Sequence, residues 1–149
     1  MSYSDLIHLY FDRSNALQWY WTLYVVIVGG LLAFSSLRER KDALTGLLVS
    51  ILFACFAYKN CGAIGDVTAE RHAILAAIRG YSPKSAEGSD SADATEVKRL
   101  RSALEPTLDP PAWEGVRNFH ITSDLLTLAA LWAIEWRRRR GWGAPAKST

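Results

Sequence analysis

Three polar residues in the last third of the chain recur at a spacing that could form one chemical site. His120, Asp124 and Thr127 stand at positions i, i+4 and i+7, which places them on one face of a helix. Asp124 lies more than one turn inside an apolar stretch, where an ionisable group is costly unless it is paired or faces water. One interpretation of the pattern is a site for a proton, a cation or a small ligand.

Two other interpretations of Asp124 are open on the sequence alone. Its carboxylate could pair with Lys59, because both residues should lie in the same outer third of a helical bundle. Alternatively, Asp124 could lie at the level of the lipid headgroups. The pair would give a structural role to the intramembrane polar face, which consists of His120, Asp124, Thr127 and Lys59.

No other residues form a known catalytic or metal-binding pattern. Cys55 and Cys61 would have Cα atoms about 9 Å apart on a continuous helix, too far for a disulfide bond. The sequence contains no zinc-binding spacing, glycine-rich phosphate loop or nucleophile elbow. We therefore expect no catalytic residues, no cofactor-binding residues and no metal ligands, and we do not expect an enzyme.

The elements that carry these residues are three long apolar stretches. Residues 16–37 contain no charged side chain, and residues 43–64 contain only Lys59. Each stretch would form a helix about 33 Å long, enough to cross a hydrocarbon core of about 30 Å. Residues 119–136 form a third stretch, which polar residues interrupt. We predict an all-α integral membrane protein with three transmembrane helices, the first two joined as an antiparallel hairpin.

Basic residues mark one end of the predicted spans. Lys and Arg next to a span tend to stay in the cytoplasm, and the short loop 38–42 and the tail 137–149 fall on the same side of a three-span protein. We therefore predict an outside amino terminus and a cytoplasmic carboxyl terminus in the cell (inner or plasma) membrane. The predicted topology anchors are Arg38, Arg40, Lys41, Arg137, Arg138, Arg139 and Arg140.

The remaining segments are predicted to lie outside the membrane. Residues 1–15 contain apolar and aromatic residues with little charge, which favours a segment lying at the membrane interface. Residues 65–118 form an extracytoplasmic loop. Within it, the pattern predicts a helix over about 66–80, and the small polar residues of 82–95 predict a flexible linker.

Small residues recur at four-residue spacing in each predicted span. Such stripes let helix backbones approach closely, which favours association inside a bilayer. The predicted helix-packing residues are Gly29 and Ala33 in the first span, Gly46, Ser50 and Ala54 in the second, and Ala129 and Ala133 in the third.

Two functions are compatible with these features. The first is an accessory subunit, inhibitor or immunity-type partner that acts by helix association. Its partners would be the lipid bilayer and either another membrane protein or copies of itself. The alternative is a homo-oligomeric pore or ion-conducting effector whose lumen is lined by the polar face. A net charge of +2 gives no support for nucleic-acid binding.

Overall fold

The computed structural model describes residues 2–38, 42–81 and 91–140, and most of them are helical. Four α-helices follow one another: α1 (Tyr3–Leu37), α2 (Ala43–Gly80), α3 (Ser91–Leu104) and α4 (Trp113–Arg139). A short 3-10 helix, Glu105–Thr107, follows α3. No β-strand occurs among the described residues, so the predicted all-α class is confirmed.

Carboxylates cap the first turns of the two longest helices. The hydroxyl of Ser2 accepts a hydrogen bond from the Asp5 amide at 3.1 Å, and the Asp5 carboxylate accepts one from the Ser2 amide at 2.7 Å. The bond from the Ser2 amide lowers the pKa of Asp5, because it stabilises the charged form of the carboxylate. Asp42 accepts a hydrogen bond from the Leu44 amide at 3.0 Å at the start of α2. Asp42 thereby caps the first turn of α2.

Helices α1, α2 and α4 pack side by side as a three-helix bundle. α2 returns antiparallel to α1, as the predicted hairpin requires. α4 runs parallel to α1, because Tyr24 contacts Asp124 and, further along both helices, Arg38 contacts Glu135. We call the end of the bundle where α1 and α4 finish and α2 begins the basic end. The opposite end is the distal end.

Two apolar layers form the interior of the bundle. They consist of Leu17, Ile64 and Val67, and, nearer the basic end, of Tyr24, Phe53 and Ala57. The first turn of α4 reaches the first layer through Trp113. A Cβ atom added at Gly65 would lie 3.0 Å from the Trp113 ring, so a larger residue there would have to displace the ring at this contact between α2 and α4.

Beyond the bundle, the first turns of α1 and the last turns of α2 form a packed distal head. Its buried residues are Tyr3, Leu6, Tyr10, Leu75, Ile78 and Leu108. Arg101 of α3 donates a hydrogen bond to the Ile78 carbonyl at 3.0 Å and another to the Tyr81 carbonyl, so α3 is tied to the end of α2. Burial in this head, and the charge of Glu105, raise the pKa of Tyr3.

The distal head adds contacts to the segments predicted from the sequence. Tyr3, Leu6 and Tyr10 of the segment 1–15 pack with Leu75 and Ile78 of α2, whereas Phe11 is exposed, and the interfacial position of this segment stays a prediction. The predicted helix 66–80 is the unbroken continuation of α2. Helix α3 begins at Ser91, so residues 91–95 are helical and not part of a linker. The rest of the predicted linker, 82–90, lies outside the described residues.

The outer surface of the bundle is apolar over much of its length. α1 and α2 are each long and apolar enough to cross a membrane, and only 6% and 22% of their most apolar windows are buried. The core helix of a soluble protein would instead be mostly buried. α4 is not among the helices that meet this criterion, because its His, Asp and Glu residues lower its hydropathy. Two of the three predicted spans are therefore supported by length and composition.

Candidate functional site

A hydrogen-bonded polar network connects α1, α2 and α4 inside the bundle. The Tyr24 hydroxyl donates to Oδ1 of Asp124 at 2.9 Å. Nδ1 of His120 lies 2.8 Å from Oδ2 of the same carboxylate. On the other side of the imidazole, Nδ2 of Asn60 lies 3.1 Å from Nε2. Each of the three helices therefore contributes to one continuous network.

Both nitrogen atoms of His120 have a matched partner when the imidazole is neutral. The Asn60 amide then donates to Nε2, and the proton on Nδ1 is donated to Asp124. The side chain of His120 is 0% exposed, so no water contacts the imidazole. The Tyr24 and Trp21 rings lie 4.6 and 5.7 Å from the imidazole between centroids. The histidine is thus held by hydrogen bonds at both nitrogens and enclosed by aromatic rings.

The structure brings together two of the four residues of the predicted polar face. His120 and Asp124 face the bundle interior and contact each other. Thr127 is buried on the same side, but its hydroxyl donates to the Ser123 carbonyl of its own helix at 2.8 Å. The predicted pair between Lys59 and Asp124 is not formed, since Lys59 is exposed. Successive residues on a helix point about 100° apart, and it is the neighbouring Asn60 that points inward.

A groove of about 640 Å³ lies between α2 and α4, beside the network. Of the four network residues, only Asp124 lines it, and 17% of the Asp124 side chain is exposed. The other charged residues of the groove are Lys59, Asp66 and Arg117. The Asp124 side chain is therefore the part of the network that borders the groove.

A second polar cluster lies at the basic end, around the buried carboxylate of Glu135. Three guanidinium groups contact this carboxylate: Arg38 at 3.3 Å, Arg138 at 2.7 Å and Arg139 at 3.2 Å. Arg138 also donates to the Ser35 carbonyl of α1. Because the Glu135 side chain is only 7% exposed, the cluster joins the end of α4 firmly to the end of α1.

The predicted topology anchors therefore have different environments. Arg38, Arg138 and Arg139 neutralise Glu135, whereas Arg137 is exposed. Arg140 is exposed as well, and its guanidinium lies 3.8 Å from the Trp136 ring centroid. Arg40 and Lys41 lie outside the described residues. Three of the predicted anchors thus form ion pairs within the protein, with Glu135.

The small-residue stripes do not hold the three helices together. Gly29 and Ala33 are exposed on α1, Ala54 is exposed on α2, and Ala129 and Ala133 are exposed on α4. Gly46 and Ser50 are half-buried and border a cavity of about 20 Å³ next to Glu135, a volume that fits one water molecule. A Cβ atom added at Gly29 or Gly46 would meet no atom within 4 Å. The glycine that does permit a close contact, Gly65, belongs to no predicted stripe.

The chemistry available to the network follows from its closed pattern of hydrogen bonds. Tyr24, Asn60 and His120 are buried and paired, so they hold α4 against the hairpin. Among residues 2–38, 42–81 and 91–140, no group of three or more His, Cys, Asp or Glu could hold a metal ion.

No family model matches the chain, and no curated protein or solved structure shows a significant similarity to it.

Proposed function

We propose that α4 is a third membrane span, so that the protein is a multi-pass protein of the cell membrane. Its buried polar residues, His120, Thr127 and Glu135, face the bundle interior, while large apolar side chains are exposed on its outer side. The exposed apolar residues of α4 are Phe119, Ile121, Leu125, Leu126, Trp132 and Trp136. A low average hydropathy is compatible with a span when the polar groups are paired inside a bundle.

The packing of α4 supports the same proposal. α4 contacts α1 from Tyr24 to Arg38, which is most of the apolar length of α1. A helix that lies alongside two spans over this distance should cross the same hydrocarbon layer. With three spans, the basic end lies in the cytoplasm and the amino terminus lies outside. A tag fused after Thr149 that reacts with an impermeant reagent in intact cells would contradict this topology.

Within this arrangement, we propose that the protein acts by helix association, as an accessory subunit, inhibitor or immunity-type partner of a membrane complex. One observation supports this function best. The side chains of Tyr24, Asn60, His120 and Asp124 are hydrogen-bonded to one another inside the bundle, whereas the stripes Gly29/Ala33 and Ala129/Ala133 are exposed on its outside. Small residues on a lipid-facing surface allow another helix to approach closely.

The alternative, a homo-oligomeric pore, receives less support from the same geometry. A pore needs polar side chains along its lumen, and His120, Asp124 and Thr127 are the polar face available for it. In the structure this face points into the interior of a single chain, and His120 is fully buried. A pore would require α4 to rotate and break the network.

The decisive experiment compares two neighbouring glycines of α1. Neither Gly29 nor Gly30 has an atom within 4 Å of an added Cβ, so Gly29→Leu and Gly30→Leu should both fold. The two positions point about 100° apart around α1. The full chain is purified from its native membranes in mild detergent and crosslinked. A membrane protein that co-purifies in fixed stoichiometry with the wild type and Gly30→Leu, but not with Gly29→Leu, supports the proposal. A discrete homo-oligomer that conducts ions in bilayers would contradict it.

A further inference from the structure

The groove between α2 and α4 combines open space with charged side chains. On the α4 side, Trp113, Arg117, Ile121 and Asp124 follow one another at intervals of three to four residues, so they form one stripe. On the α2 side, the small residues Ala57, Gly62 and Ala63 leave the space open. The result is a volume of about 640 Å³, in the range of ligand-binding pockets.

The charges of the groove are balanced. Lys59 and Arg117 carry two positive charges, and Asp66 and Asp124 carry two negative charges. Among the described residues, Lys59, Asp66 and Arg117 form no ion pair within 4.0 Å. The groove therefore offers both signs of charge to a ligand that carries both.

The walls of the groove continue into the apolar surface of the bundle. Tyr58 and Ile121 line the groove, and they are 77% and 46% exposed. Trp113, in the first turn of α4, lines the groove on the side of the distal end. Trp side chains favour the level of the lipid headgroups. A ligand with a polar head and apolar chains would match both parts of this surface.

We propose that this groove binds a zwitterionic aminophospholipid. The lipid phosphate lies between Arg117 and Lys59, and its ammonium group lies toward Asp66. The acyl chains follow the apolar walls into the bilayer. An anionic phospholipid would bring its charge close to Asp66 without an ammonium group to compensate this carboxylate. This inference rests on the proposed membrane placement of α4.

Native mass spectrometry of the purified full chain in detergent tests the proposal. Dioleoyl phosphatidylethanolamine, phosphatidylcholine and phosphatidylglycerol are added separately at equal concentrations. We expect preferential retention of phosphatidylethanolamine, because its primary ammonium donates hydrogen bonds that a quaternary ammonium cannot. Arg117→Gln should weaken this binding about fivefold, the effect of one basic side chain at a lipid headgroup. Arg137→Gln, which removes an exposed arginine at the basic end, is the matched control and should bind normally.

A second variant tests the acidic half of the groove. Asp66 is exposed and lies outside the polar network, so Asp66→Asn should leave the bundle folded. It should shift the preference from phosphatidylethanolamine toward phosphatidylglycerol. Equal retention of the three lipids by the wild type, or unchanged binding by Arg117→Gln, would overturn the proposal.

Alkaline carbonate extraction separates this result from a failure of the membrane placement. If the chain remains in the membrane but shows no lipid preference, only the groove proposal is wrong. If alkaline carbonate removes the wild-type chain from the membrane, both proposals are wrong.

Discussion

Replacing Asp124 by Leu should destabilise the bundle far more than replacing it by Asn. Leu leaves the Tyr24 hydroxyl and the His120 Nδ1 proton without an acceptor inside the bundle. Asn keeps an oxygen for Tyr24, and its NH₂ group can donate to Nδ1 if the imidazole proton moves to Nε2. The Asn60 amide then only has to rotate so that its oxygen accepts from Nε2. The network can therefore close again around Asn but not around Leu.

The size of this difference follows from the two bonds that Asp124 accepts, at 2.9 and 2.8 Å. Side-chain hydrogen bonds in membrane proteins contribute about 0.6 kcal/mol on average and at most about 1.7 kcal/mol. Bonds to a charged acceptor belong to the upper part of this range. We therefore expect Asp124→Leu to lower the free energy of unfolding by about 2–3 kcal/mol, and Asp124→Asn by about 1 kcal/mol or less.

A double-mutant cycle with Tyr24→Phe isolates one of the bonds. Tyr24→Phe removes the donor and keeps the ring that contacts His120, so it should recover about 1 kcal/mol in the Asp124→Leu background. Unfolding in mixed micelles with increasing dodecyl sulfate, followed by tryptophan fluorescence, measures all four variants. Equal destabilisation by Asn and Leu, or a coupling energy of zero, would refute the proposed role of the network.

Three further predictions concern other parts of the molecule. Glu135→Gln should lower the free energy of unfolding by about 3 kcal/mol, because it leaves buried guanidinium groups without their counter-charge; Arg137→Gln is the control in the same unfolding assay. Gly65→Leu should cost about 1–3 kcal/mol by pushing the Trp113 ring away from α2, and a red-shifted tryptophan emission should accompany it. The Asp5 carboxylate should stabilise the first turn of α1 fully above its unfolded pKa of about 3.9. This stabilisation should be lost as the pH falls through the lower pKa of Asp5 in the folded state. Faster amide exchange in the first turn of α1 at low pH, and no such change in Asp5→Asn, would verify this.

The apolar stretches predicted where the helices lie more accurately than where they begin. α1 ends at Leu37, α2 begins at Ala43, and α2 ends at Gly80, as the charge pattern and the terminal glycine indicate. α1 begins far before residue 16, and α4 begins before residue 119. A change from polar to apolar composition marks a change of surroundings, whereas the backbone can stay helical across it. Segment 1–15 is an example, since it is helical from Tyr3 onward and its buried side chains pack against α2.

One half of the polar network was visible in the sequence. His120 and Asp124 share a helix, so helical spacing alone predicts that they face the same way. Tyr24 and Asn60 come from two other helices, and their contribution depends on how each helix is rotated about its axis. That rotation is a property of the packed bundle, which local spacing does not encode. For this reason the sequence suggested Lys59 as the partner of Asp124. In the structure Asp124 accepts from Tyr24, and the neighbour of Lys59, Asn60, contacts His120.

Glu135 shows a related limit of hydropathy. A residue-by-residue scale treats this carboxylate as unfavourable in a span, whatever surrounds it. In the structure, three arginines contact it. Arg38 follows the first apolar stretch, and Arg138 and Arg139 follow the third. Its partners on α4 are close in sequence, but Arg38 is 97 residues away.

The distance along the chain between α1 and its contacts on α4 has a consequence for biosynthesis. Tyr24 and Asp124 are 100 residues apart, so the ribosome releases the hairpin long before the helix that completes the network. On the proposed topology, α4 alone would carry an aspartate into lipid at a cost of about 2.5–3.5 kcal/mol. The hairpin therefore has to wait in the bilayer as a docking template, with Tyr24 and Asn60 unsatisfied.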